Sequence, residues 1–196
     1  MSNKQLWVLA GGNGAGKSTF YKLYLQAKDI LFINADLIAK KLDKDQTESV
    51  SYDAAKIAER LRSDLLRSGT SFCFETVFSH PSKIQFIVDA KALGYEVILV
   101  YIHLQDSQLN LARVAQRVTE GGHSVPTDKI ITRIPRTLMN VSKALPLADE
   151  FLAFDNSSRR KPYHLIFHIK NRVLNSDVRP LPDWANILLN DTYVLE

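Results

Sequence analysis

Along the chain, short unbroken apolar runs take turns with segments whose apolar residues return every three or four positions. That alternation predicts strands separated by amphipathic helices. Residues 6–10 (LWVLA) fit a buried strand, and after them Phe20, Leu23, Tyr24 and Ala27 fall at helical spacing. Residues 30–33 form a second run, followed by Asn34-Ala35-Asp36. Residues 37–42 then predict a turn or two of helix, with Asp36 as a candidate N-cap. The polar segment 43–51 predicts a loop. Ala54, Ile57, Ala58, Leu61 and Leu65 mark a longer helix that ends at Arg67-Ser68-Gly69. Residues 71–75 (SFCFE) predict a third strand. Beyond it, Ser79 or His80 is placed to cap a helix with Pro81 at its first position and Gly94 at its end. Residues 97–103 are a continuous Val/Ile/Leu-rich run, which predicts a central parallel strand buried on both faces.

From residue 106 the pattern changes. Asp106 or Ser107 caps a predicted helix bearing Arg113 and Arg117 on one face. A hinge-like break follows at 120–126 (EGGHSVP), and a second helix from about Thr127 carries Arg133, Arg136 and Asn140. Pro135 inside that helix is expected to kink it or detach its first turn. Arginine's planar fork suits phosphate oxygens, so four arginines around a glycine-rich break predict a lid, at about 106–140, closing over phosphates. Residues 151–154 make a fifth run ending in Asp155-Asn156-Ser157-Ser158. Residues 163–169 and 172–174 predict a small C-terminal hairpin, and Trp184 leads into a last helix. With no repeats and no linker, the expectation is a single domain over 1–196, an α/β fold with a mostly parallel sheet and right-handed crossovers.

Composition narrows the classes. The chain has 196 residues, 45% hydrophobic, with a net charge of +4, and no basic run longer than Arg159-Arg160-Lys161, so nucleic acid is not an expected partner. Its single cysteine, Cys73, excludes an internal disulfide and suits a reducing compartment. Without a signal-peptide pattern or a membrane-length apolar stretch, a cytoplasmic location is expected and a membrane partner is not.

The sharpest chemistry lies between the first strand and the first helix. Gly11, Gly16, Lys17 and Ser18 fill the G-x-x-x-x-G-K-[ST] pattern, and Gly12, Asn13, Gly14 and Ala15 lie inside it, with Thr19 next. Such a loop turns successive backbone N–H groups toward a phosphate, its lysine reaches the β- and γ-phosphates, and its hydroxyl ligates Mg²⁺. ATP or GTP with Mg²⁺ is therefore the expected ligand. In a parallel sheet ligands gather beyond the carboxyl ends of the strands. There Asp36 is the candidate base for an acceptor hydroxyl, and Glu75 either holds Mg²⁺ through water or binds that hydroxyl. Thr76, Ser79, His80 and Lys83 are candidate acceptor-pocket residues. His164 and His168 are expected to share a strand face, too far apart to chelate one ion, and His123 lies in the lid.

The segments LAGGNGAGKSTF, INADLIAK, FETVFSHPSK, ARVAQRVTEGGHSVP, RIPR and FDNS, in this order, resemble the short branch of the zeta-toxin family, P-loop kinases also labelled predicted ABC-type ATPases. The chain has no LSGGQ signature, which rejects the ABC label. The resemblance implies a three-layer P-loop NTPase fold similar to nucleoside-monophosphate kinases. It also implies transfer of the γ-phosphoryl of ATP to a hydroxyl of UDP-N-acetylglucosamine, and a small helical antitoxin as partner. By position it gives the phosphate loop to 11–19, the base to Asp36, and acceptor recognition to Glu75 and Thr76. Phosphate-stabilising roles fall to Arg117, Arg133 and Arg136, and Asn156 is set near the adenine. Three alternatives stay open: a kinase for another small-molecule hydroxyl, a nucleotide-binding switch or toxin without this activity, and a nucleic-acid kinase.

Overall fold

The computed structural model describes residues 4–43, 50–122 and 124–189. Seven strands form one sheet: β1 (Gln5–Ala10), β2 (Leu31–Ile33), β3 (Phe72–Thr76), β4 (Glu96–His103), β5 (Glu150–Asp155), β6 (His164–Lys170) and β7 (Val173–Asn175). Their order is β2-β3-β1-β4-β5-β6-β7. The first five run parallel, and β6 and β7 turn back antiparallel as the expected hairpin.

Strand β4 accounts for the layering. Val97, Leu99 and Tyr101 pack into one hydrophobic cluster, while Ile98, Val100 and Ile102 pack into another on the opposite face, and none is more than 2% exposed. An uninterrupted apolar run is what two covered faces require. On one face lie α3 (Ser51–Ser68), α4 (Ser82–Ala92), α6 (Thr127–Ala144) and α7 (Asp183–Leu189). On the other lie α1 (Lys17–Phe20) and α5 (Ser107–Thr119). A further helix, α2 (Ala35–Leu42), follows β2. No helix among the described residues is long and apolar enough to cross a membrane.

Several local expectations are corrected. The first helix does not keep a single 3.6-residue phase: after Phe20 it widens into a π turn over Tyr21–Leu25 and tightens over Gln26–Lys28. The widened turn shifts the inward stripe, so Leu25 is buried while Leu23 is 62% exposed. Helix α2 is capped by Asn34, whose side chain accepts from the Leu37 N–H, and Asp36 sits in the first turn instead. Neither Ser79 nor His80 caps α4, whose N-cap is Pro81. Pro135 leaves α6 continuous because it lies on the helix's exposed side, where a carbonyl that loses its N–H partner can turn to water. In β6 the register with β5 shifts between Ala153 and Phe154, making Ile166 and Phe167 consecutive buried residues. That bulge puts His164 and His168 on opposite faces. The loop expected at 43–51 falls mostly outside the described residues, as does His123.

Candidate functional site

One cavity of about 780 Å³ opens beyond the carboxyl ends of β1, β2 and β3, where an open parallel sheet gathers its ligands. Asn13, Gly14, Gly16, Lys17, Ser18 and Thr19 form its floor, and Asn34, Asp36, Glu75, Thr76 and Lys83 rise on one side. Arg113, Arg117, Lys129 and Arg133 rise on the other.

The floor is braced from elements distant in sequence. Gly16 has φ 102°, a conformation a side chain resists, and a Cβ there would lie 2.6 Å from the Asn156 amide nitrogen. Asn156 is buried, donates to the Ala15 carbonyl at 2.8 Å, and accepts from the Tyr163 N–H. The Tyr163 hydroxyl donates to the Gly16 carbonyl at 2.8 Å, and Asn110 donates to the Asn13 carbonyl at 2.6 Å. These bonds fix the loop's carbonyls outward, which turns its N–H groups toward the cavity. The Asn156 side chain is thus committed to holding the loop.

Lys17 is 5% exposed, and its ammonium donates to the Gly11 and Gly12 carbonyls at 2.9 Å each, with Glu75 at 3.6 Å. Burial pushes its pKa below the ordinary lysine value, while the charges of Glu75 and then Asp36 push it back up. Ser18 Oγ donates to Glu75 Oε2 at 2.5 Å, and Asn34 Nδ2 donates to the same oxygen at 2.7 Å. Asn34 therefore works twice: its oxygen starts α2 and its nitrogen holds Glu75. Ser18 and Glu75 offer adjacent hard oxygen donors beside the phosphate loop, a donor set that fits Mg²⁺.

Asp36 projects from the first turn of α2, half exposed, and pairs with Arg117 of α5 at 3.5 Å. The structure thus brings together Asp36, Glu75, Thr76, Lys17, Ser18, Thr19, Arg117 and Arg133. It does not bring Arg136, Ser79 or His80 into the cavity: Arg136 is exposed, and His80 bonds to Ser82. Ala15 is buried in the core, while Gly11 and Gly12 act through their carbonyls.

Both roots of the expected lid are fastened. Asn110 and Arg113 of α5 bond to Asn13 and to the Asn156 carbonyl. Thr137 and Asn140 of α6 bond to the Val77 and Phe78 carbonyls. Sequence reasoning missed the bracing by Asn110 and Tyr163, the clamp by Asn34, and Arg62, a buried cation in the cavity wall. Only Asn34 carried a signal, being the strongest capping residue type directly after a strand.

The sequence model of the Zeta toxin family matches residues 2–160. An uncharacterized protein of Haemophilus influenzae is 33% identical over 135 residues, covering 65% of this chain and 96% of its own. Among solved structures, the AvrRxo1-ORF1:-ORF2 complex with ATP aligns over 99% of this chain and 66% of its own, with a TM-score of 0.77 and 17% identity. The PezAT toxin–antitoxin system of Streptococcus pneumoniae aligns over 97% of this chain and 78% of its own, with a TM-score of 0.66 and 17% identity. These likenesses bear out the three-layer P-loop kinase architecture expected from the sequence.

Proposed function

This chain belongs to the zeta toxin family, and from that premise we propose that it is a kinase that moves the γ-phosphoryl group of ATP to a hydroxyl of a nucleotide sugar, UDP-N-acetylglucosamine first among them. The observation that carries the reading is that Asp36 shares one cavity with Lys17 and Ser18, facing a wall of three arginines. Phosphoryl transfer asks for that set: groups that grip a triphosphate, a carboxylate for the acceptor's proton, and cations for the charge on the transferred group.

The loop amides and Lys17 hold the β- and γ-phosphates. Ser18 and Glu75 would hold Mg²⁺, which would neutralise negative charge on the triphosphate. Asp36 takes the proton from the acceptor alcohol as its oxygen bonds to the γ-phosphorus. The bond from that phosphorus to the β–γ bridging oxygen breaks, and ADP leaves with the electron pair. Arg117 exchanges its contact with Asp36 for the transferred phosphoryl, and Arg113 and Arg133 stand behind it. Thr76 orients the acceptor.

The PezAT system pairs a toxin with an antitoxin, which supports a small helical partner that covers the nucleotide site, and a cytoplasmic location follows from the substrates. The test is incubation with γ-labelled ATP, Mg²⁺ and a panel of nucleotide sugars. Label on UDP-N-acetylglucosamine, lost in Asp36→Asn, is the expected result, and label on none of the sugars overturns the acceptor assignment.

A further inference from the structure

Arg62 is one of the charged side chains in the cavity that take no part in the mechanism above. Arg62 of α3 is 8% exposed, yet its guanidinium makes no hydrogen bond or ion pair among the described residues. Two aromatic rings lie against it, Phe74 with its centroid 5.2 Å from Cζ and Phe86 at 5.9 Å. A guanidinium carries five donors and does not give up its proton in a protein, and with no protein acceptor among the described residues those donors are left to the cavity that Arg62 lines. The two rings, nearly perpendicular to each other, hold the cation by its apolar surroundings, and its residue lines the cavity where a ligand can reach it.

Lys83 of α4 lies beside it, half-buried in the same wall, with a single long bond of 3.4 Å to Ser82. Burial and then the charge of Arg62 both lower the Lys83 pKa, the signature of two cations held close. Glu59, one turn before Arg62, also lines the cavity; it is exposed and makes no direct ion pair with either, yet its charge acts on both cations, raising their pKa values against the effect of burial.

We infer that Arg62 and Lys83 form an anion subsite that takes a phosphate or carboxylate group carried by the acceptor, so that the enzyme selects alcohols bearing such an anion. A planar fork next to a point charge is the pairing that binds a two-oxygen anion edge. Both residues line the cavity from α3 and α4, the helices before and after the strand that carries Glu75 and Thr76, whereas Arg113, Arg117 and Arg133 come from α5 and α6. The subsite therefore belongs to the acceptor rather than to the triphosphate. This inference rests on the kinase reading for its meaning but not for its first test.

That first test needs no turnover. The full chain is saturated with Mg²⁺ and a non-hydrolysable ATP analogue, which fills the phosphate loop, and inorganic phosphate or acetate is titrated in with binding followed by NMR. One site is expected, weakened at least tenfold in Arg62→Met, partly restored in Arg62→Lys, and weakened in Lys83→Ala. Arg62→Met keeps the apolar contact with Phe74 and Phe86, and unchanged affinity for the ATP analogue checks that it folds. Phosphate and acetate separate the two anion types. No site, or a site indifferent to Arg62→Met and Lys83→Ala, overturns the inference. The second arm measures transfer to N-acetylglucosamine, N-acetylglucosamine 1-phosphate and UDP-N-acetylglucosamine. The KM of phosphorylated acceptors is expected to rise thirtyfold or more in Arg62→Met while kcat falls less. A neutral sugar accepted as well as its phosphate overturns the selectivity. Anion binding with no transfer to any of these acceptors defeats the kinase reading while leaving the subsite standing.

Discussion

The two ends of the cavity are built differently. At the nucleotide end nearly every polar group is spoken for: Lys17 by the Gly11 and Gly12 carbonyls, the loop by Asn110, Asn156 and Tyr163, and Ser18 by Glu75. At the acceptor end Asp36 is half exposed with a 3.5 Å ionic contact to Arg117, and Arg62 lines the cavity with no protein acceptor for its donors among the described residues. The nucleotide end is a finished mould, since preorganised dipoles are worth most when they need not rearrange. Under the proposed function, the acceptor end is the part its substrate completes.

The most severe way to break the contrast is Lys17→Met. It strips the mould of its cation, and kcat/KM for transfer is expected to fall by about 10⁴-fold together with weakened ATP binding, both read from labelled-ATP kinetics and calorimetry. Asp36→Asn cuts only the other end. Transfer should drop about 10³-fold while ATP affinity stays within a few-fold, and equal loss of both would show the ends are not separable. Asn156→Ala sharpens the comparison from below the loop. Removing it leaves the Ala15 carbonyl without its donor, a loss of roughly 1–3 kcal/mol, and is expected to raise the KM for ATP about tenfold with the acceptor KM unchanged.

The mildest test is acid. His103 ends β4 outside the main cavity, in a small cleft beside Gly12, receives or gives a hydrogen bond at 3.0 Å with Tyr101, and stacks on Trp184 at 4.5 Å. Burial lowers its pKa to about 4, with Asp155 pushing the other way. It is therefore neutral when folded, and the unfolded chain takes up the extra proton between its ordinary value near 6.5 and about 4. The stability this contributes is present above about pH 6.5 and is lost as pH falls through that window, roughly 3 kcal/mol at most. Thermal melts should show a steeper loss between pH 6.5 and 4 in the wild type than in His103→Gln, and parallel curves would rule His103 out.

The same contrast explains what could be read from the sequence. The phosphate loop is legible because its function is written in eight consecutive positions whose backbone needs are local. β4 is legible because burial on both faces leaves an unbroken apolar run. Asp36 was found as the acid after a strand, although the capping duty went to its neighbour Asn34. Arg62 was not found, because on a helical wheel it reads as an ordinary charge between apolar positions. Only the fold brings Phe74 and Phe86 beneath it and turns it inward, while Ile57 and Leu61, which looked like the buried stripe, end 38% and 40% exposed. Tyr163 was out of reach too, since its bond to Gly16 spans 147 positions.

That long-range phenol has a practical corollary for anyone trimming the protein. The family match stops at residue 160, so a fragment cut there would retain every residue of the nucleotide fingerprint and still lose the β6 strand and the hydroxyl propping Gly16. The smallest unit able to grip a triphosphate is thus longer than the stretch by which relatives are recognised, and a shortened version would look intact on paper while its cradle sagged.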